Sequence, residues 1–144
     1  MIKTKPTQGF TIVELLIAFA IVAAMATAAA PLYSNYRTKF KVSRMFMIAQ
    51  NAQNFVIDDY RNNSTLASIN YASNSQTFLT VTEPYITSIS ISAGVITAVG
   101  NATYLGGRAI TLTITPTVGT NTDLTWTCSV NNVVYDDFVP QGCK

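Results

Sequence analysis

The chain has 144 residues, 49% of them hydrophobic and only 11% charged, against about a quarter charged in ordinary soluble domains. A formal charge of +2 is too small to mark a nucleic-acid binder, and the absence of histidine removes the commonest general base and metal ligand. The length allows one compact domain, or a smaller one with an appendage.

Residues 1–9 are short, polar and basic, with Lys3 and Lys5, and end at Gly9. Residues 10–30 are apolar apart from Thr11, Glu14 and Thr27. As a helix that run reaches about 30 Å, enough to span the hydrocarbon of a bilayer. Cleavage as an ordinary signal peptide near Ala30, at "TAAAP", is the lesser reading, because the run is long and Glu14 does not suit a signal core. Orientation is in conflict. Arg37, Lys39, Lys41 and Arg44 follow the span and outnumber Lys3 and Lys5, which by the positive-inside rule keeps the downstream part cytoplasmic. The cysteines discussed below point the other way, and we follow them together with the short basic leader.

Glu14 lies four residues inside the apolar run. Its plain reading is a side chain that snorkels to the headgroups. Its sharper reading is an intramembrane carboxylate kept for a cationic partner, since burying it unpaired costs several kcal/mol. Cutting the chain between Gly9 and Phe10 would create such a cation at the new Phe10 α-amino group. Within one helix the two groups are badly placed to meet; between copies slipped along the axis they can pair and set a register.

Pro31 should kink or loosen a helix that continues past it. Beyond it, Met45, Ile48, Ala49, Ala52, Phe55 and Val56 recur at helical spacing as one apolar stripe. Arg37, Lys41 and Arg44 fall on a different face and read as solvated, or paired with a neighbouring copy, before they read as a phosphate-binding patch. "RNNSTL" ends the pattern. A helix from 10 to about 61 would be about 78 Å long, more than a chain of this size can bury. Its first half must lie in a membrane or among neighbouring copies. The Asn- and Ser-rich segment 62–83 reads as a surface-covering connection with local turns. From residue 84, "YITSISIS", "GVITAVG", "AITLTITPTV" and "LTWTCSV" alternate at the period of two that marks about four antiparallel strands.

The two cysteines, Cys128 and Cys143, are an even count behind a membrane-targeting segment, which favours a disulfide in an oxidising compartment over a reduced pair. Closing that loop of about 15 residues is worth roughly 3 kcal/mol and would pin the terminal loop to the last strand. Trp126 reads as core packing beside Cys128. Asp136 and Asp137 read as a solvated turn, since calcium needs more oxygen ligands than they offer.

"GFTIVELLIAFAIVAA", with Pro31, Tyr33 and Tyr36, resembles the class III signal of type IV pilins. "VTEPY", "ITLTITP" and "WTCSVNNVVYDDFVPQGC" are similar to the globular part of type IVa major pilins, so the resemblance covers essentially the whole chain. It implies an α+β pilin fold: a long N-terminal helix, half protruding or transmembrane and half packed, on a four-stranded antiparallel sheet with a C-terminal disulfide-bounded loop. The implied division is a leader at 1–9, a membrane or filament-core helix at 10–31, its amphipathic second half at 32–61, a connecting loop at 62–83, the sheet at 84–130 and the disulfide-bounded region at 128–144. It further implies cleavage between Gly9 and Phe10 by a membrane prepilin peptidase that also N-methylates Phe10, and neutralisation of a neighbour's N-terminus by Glu14. Many major pilins carry glycine where this chain has Ala23, near a stretch of helix that loosens in the family's filaments.

The expected function is therefore a non-enzymatic structural subunit, without a cofactor or a metal, of a surface filament used for adhesion, twitching motility and DNA uptake. The expected partners are copies of itself, the peptidase and methyltransferase, the inner membrane and its pilus assembly platform, with a host-surface receptor or DNA beyond them. The chain would sit as a single-pass inner-membrane protein, its C-terminal domain periplasmic, and then in the extracellular pilus. The rivals are a minor pilin or type II secretion pseudopilin and, from another class, a single-span membrane-anchored binding protein.

Overall fold

The computed structural model describes residues 9–63, 65–73, 75, 80–120 and 123–143. Lys3, Lys5 and the rest of the leader before Gly9, and parts of the segment 62–83, lie outside them. The chain divides into two units, Met1–Ser34 and Asn35–Lys144, which we take separately.

A single helix, α1, runs Ile12–Asn63 and crosses the division. It begins after Thr11, and it ends where two asparagines, which favour turns, meet a side-chain hydrogen bond from Asn63 to Asp59. Pro31 lies inside it. Proline has no N–H to offer the preceding turn, yet the helix continues through both Ala23 and Pro31. In the first unit every described residue is exposed. Two hydroxyls in or beside the apolar run fold back on the helix: Thr27 Oγ1 donates to the Ala24 carbonyl (2.8 Å) and Ser34 Oγ to the Pro31 carbonyl (3.0 Å). Both hydroxyls thus have a partner without water.

In the second unit α1 presents Thr38, Val42, Met45, Ala49, Ala52, Val56 and Tyr60 to the core at steps of three and four. This stripe starts earlier and ends later than the alternation of residues alone suggests, and Ile48 and Phe55 only flank it. Ala49 and Ala52 keep the middle of the stripe thin. Met45, packed 3.6 Å from where a Cβ on Gly100 would stand, shows how near the sheet approaches.

The sheet is a four-stranded antiparallel meander in the order β1 (Ile86–Ser92), β2 (Val95–Gly100), β3 (Thr111–Val118), β4 (Leu124–Val130). Its register stacks side chains in rows. Ile91, Ile96, Ile114 and Cys128 pair successively across the four strands on the core face, beside a second row of Ile89, Ala98, Leu112 and Val130. Each fully buried Ile or Leu contributes on the order of 1.5–3 kcal/mol. The opposite face carries Ser90, Thr97, Thr113 and Ser129 in one cross-strand row, β-branched and polar residues suited to a wetter face.

The β1–β2 turn is Ala93 and Gly94, both at positive φ (50° and 76°), the two-residue hairpin whose twist matches its strands. The edge strand β1 is not bare. Tyr71 forms an isolated bridge with Ile91 on β1, exchanging two 2.8 Å backbone hydrogen bonds, and the Ile89 N–H reaches Ser73 Oγ. On β4 the Cys128–Cys143 disulfide ties down the C-terminal 3₁₀ turn Gln141–Cys143. From segment 62–83, Ile69 is also fully buried.

Candidate functional site

The start of α1 concentrates the unusual chemistry. Gly9 and Phe10 precede the helix, and Phe10 is 87% exposed. A Cβ on Gly9 would meet nothing within 4 Å among the described residues, so nothing in the chain's own packing there demands glycine. Thr11 and Glu14 close a reciprocal capping box. The Glu14 carboxylate accepts from the Thr11 N–H (2.9 Å) and the Thr11 hydroxyl (2.8 Å), while Thr11 Oγ1 accepts from the Glu14 N–H (3.2 Å). The carboxylate that looked partnerless in sequence thus has local donors. The signal for this was present as Thr-x-x-Glu directly before an apolar run, and the role of Thr11 is the residue-level reading that the sequence analysis missed.

Downstream, Ile12, Val13, Leu16, Phe19, Val22, Met25 and Leu32 are each more than half exposed. The helix is long and apolar enough to cross a membrane by length and composition. So much contiguous exposed apolar surface marks a contact with lipid or protein.

The second site is the C-terminal tether. Cys128 and Cys143 are joined, and Cys143 is fully buried. Trp126 packs half-buried against the same core, opposite Pro116 on β3. The 3₁₀ turn Val133–Tyr135 is capped by Asn132, whose side chain accepts from the Val134 N–H. Asn131 stitches this segment to β3 by accepting from the Thr111 N–H (2.9 Å) and donating to the Ala109 carbonyl (2.9 Å). Asp136 and Asp137 lie on the following turn. They line a shallow cleft of about 360 Å³ together with Lys39, Ser43 and Phe138. No group of three or more metal-ligating side chains occurs among the described residues.

Much of the basic cluster is engaged within its own chain. Lys41 Nζ donates to the Tyr104 carbonyl (2.6 Å). Arg44 and Glu83 both interact with the Tyr85 hydroxyl. Burial, reinforced by the Glu83 carboxylate and opposed by Arg44, raises the Tyr85 pKa above the usual phenol value. Arg108 was not singled out by sequence and has no local signature, yet it joins three segments. It donates to Asn35 Oδ1 (3.1 Å) and stacks over the Phe138 ring at 4.3 Å, and its own loop carbonyls lie 3.4 Å away. Such a stacked guanidinium contributes about 0.5–2 kcal/mol.

Two protein-family models match the chain. Residues 4–30 match a prokaryotic N-terminal methylation motif, and residues 38–144 match a family described as pilin (bacterial filament). The fimbrial protein EcpC of Eikenella corrodens is 30% identical over 145 aligned positions, covering 95% of this chain and 90% of that one. A fimbrial protein of Neisseria meningitidis serogroup A is 31% identical over 91 residues, 63% of this chain and 54% of its own. The type IV major pilin protein PilE1 of Neisseria gonorrhoeae is also 31% identical over 91 residues, 42% of its length. The chain thus spans about half the length of the Neisseria relatives it matches.

Proposed function

The chain belongs to the pilin family of bacterial filament proteins, a family of structural subunits and not of enzymes, and from that premise we propose that it is the polymerising subunit of a type IV pilus. The observation that carries the reading is a helix whose apolar first half lies exposed and begins with a carboxylate four residues after a Gly–Phe junction. Residues 1–9 are the leader, 10–31 the membrane and filament-core helix, 32–61 its amphipathic continuation, 62–83 the connecting loop, 84–130 the sheet and 128–144 the disulfide-bounded region.

A prepilin peptidase hydrolyses the peptide bond after Gly9 and N-methylates the released Phe10 amine. Gly9 answers to that enzyme's active site, since its own surroundings leave room for a side chain. In the bilayer the Thr11 donors satisfy the Glu14 carboxylate, which lowers the cost of holding it there. On assembly the Phe10 amine of a neighbouring copy approaches Glu14, and this charge-assisted pairing in a water-poor core fixes the axial register. Loss of the leader removes Lys3 and Lys5 and leaves seven cationic and seven acidic side chains, so subunits crowd without net repulsion.

Before assembly the chain is a single-pass inner-membrane protein with its disulfide-bearing part in the periplasm, as the bond between Cys128 and Cys143 supports. It then leaves the membrane through the assembly platform into the extracellular pilus. Attachment to surfaces or host receptors, twitching and DNA uptake are the uses this implies. The internal engagement of Lys41 favours the first two over direct capture of DNA by that face. Mass spectrometry of filaments sheared from cells tests the reading. The chain should be present at high copy with an N-methylated Phe10 terminus; a chain still starting at Met1, or absent from the filaments, refutes it.

A further inference from the structure

A helix packed on a sheet normally turns a polar face to solvent. In the second unit α1 departs from this over its first turns. Phe40, Arg44, Met47, Asn51 and Asn54 follow one another at steps of four and three, on the side opposite the buried stripe, and all are exposed. From Asn51 onward the face is polar, as a solvated helix requires. Before that, Phe40 and Met47 are 65% and 56% exposed on either side of Arg44. Arg44 already meets the Tyr85 hydroxyl, and a guanidinium with five N–H donors has more to offer.

The C-terminal segment carries a counterpart. Val133 and Val134 are 79% and 70% exposed, an apolar pair at the corner of a 3₁₀ turn. The corner is held rigid: the Val134 N–H donates to Asn132 Oδ1 (3.0 Å), the Tyr135 N–H to the Asn132 carbonyl (2.9 Å) and the Asp136 N–H to the Val133 carbonyl (3.1 Å). Two carboxylates follow, and that of Asp137 is exposed. One patch is apolar and cationic, the other apolar and anionic, and each copy carries one of each.

We infer that Phe40, Arg44 and Met47 of one subunit receive Val133, Val134 and Asp137 of a second copy of this chain. The inference rests on the filament reading above and adds a contact outside the apolar core. Two different patches of one chain make a heterologous interface, which propagates into an open helical polymer unless rotation closes a ring. Charge complementarity selects a second copy as the occupant. The pre-formed corner limits the ordering cost of docking, and the electrostatic pair orients it.

The test places a benzophenone-bearing phenylalanine at position 134, in place of the exposed Val134, in the full chain in cells that make filaments. Illumination should join two copies, with the adduct mapped by mass spectrometry to residues 36–51. In parallel, Asp137→Arg and Arg44→Asp should each reduce sheared-filament yield several-fold, and the double variant should recover it. An adduct elsewhere on the chain or to another protein, no adduct, or a double variant no better than its worse single overturns the interface. Absence of the unmodified chain from sheared filaments overturns the filament reading and the interface with it, and so separates the two failures.

Discussion

Breaking the Cys128–Cys143 bond, by reduction or as Cys128→Ala with Cys143→Ala, should destabilise the second unit in a defined way. The residues are 15 apart in sequence, so loop-closure entropy assigns the bond about 3 kcal/mol. Two structural facts bear on that figure. Cys143 is fully buried and Val139 is 9% exposed, so the segment contributes apolar contacts that are lost if it lifts away. Against this, the Asn131 hydrogen bonds and the Arg108 stack on Phe138 hold residues 131–138 without the bond. The net loss should therefore stay near 3 kcal/mol, which for a folded unit of this size lowers Tm by on the order of 10 °C. Thermal melting of the detergent-solubilised full chain, followed by circular dichroism with and without reductant, measures it. Hydrogen exchange should locate the weakening at β4 and residues 139–143 first. An unchanged Tm, or exchange that rises first in β1 and β2, would show that the tether does not hold the edge of the sheet.

Glu14→Ala should insert and be processed normally, yet give almost no sheared filament, whereas Thr11→Ala should cost the helix start about 1 kcal/mol and lower yield only in part; equal yields from both would remove the carboxylate from assembly. Ala93→Gly relieves a residue held at φ 50° in a two-residue turn and should raise stability by roughly 1 kcal/mol, read as an upward shift in Tm; a downward shift refutes the strain. Partial burial and the hydrogen bond to Asp59 raise the Tyr71 pKa above its ordinary value. Folding therefore favours the protonated phenol, and this contribution is intact below about pH 10 and lost as pH rises through the higher folded value. Tyr71→Phe should flatten the alkaline part of the stability profile, and an unaltered profile would dismiss the pair.

What could be read from the sequence followed how local its cause was. The strands were legible because Ile and Thr alternate along each of them, and the meander because short turn-forming stretches separate them. The helix was legible through its periodicity, but its core stripe began unseen: Thr38 is polar, and Val42 sits among Lys39, Lys41 and Arg44, so neither reads as buried until the sheet is placed beneath. Ile69 and Tyr71 were hidden by the Asn- and Ser-rich composition around them, since their burial depends on the distant edge of β1. Arg108 is the extreme case, because its partners Asn35 and Phe138 lie far away on both sides. At the helix start the reverse held. The capping signal of Thr11 is entirely local, set by Thr-x-x-Glu before an apolar run, and needs no distant partner.

The occupied β1 edge of the sheet has a consequence for any subunit that meets copies of itself at high density. Subunits held parallel in one plane meet edge to edge far more often than molecules tumbling in solution. An open strand there would invite neighbours to zip together through their backbones, a route toward aggregates. Here Tyr71 and Ser73 already take backbone groups of β1, and a covalent anchor holds a turn against β4. With the β1 border taken, crowding between copies is steered away from that edge of the sheet.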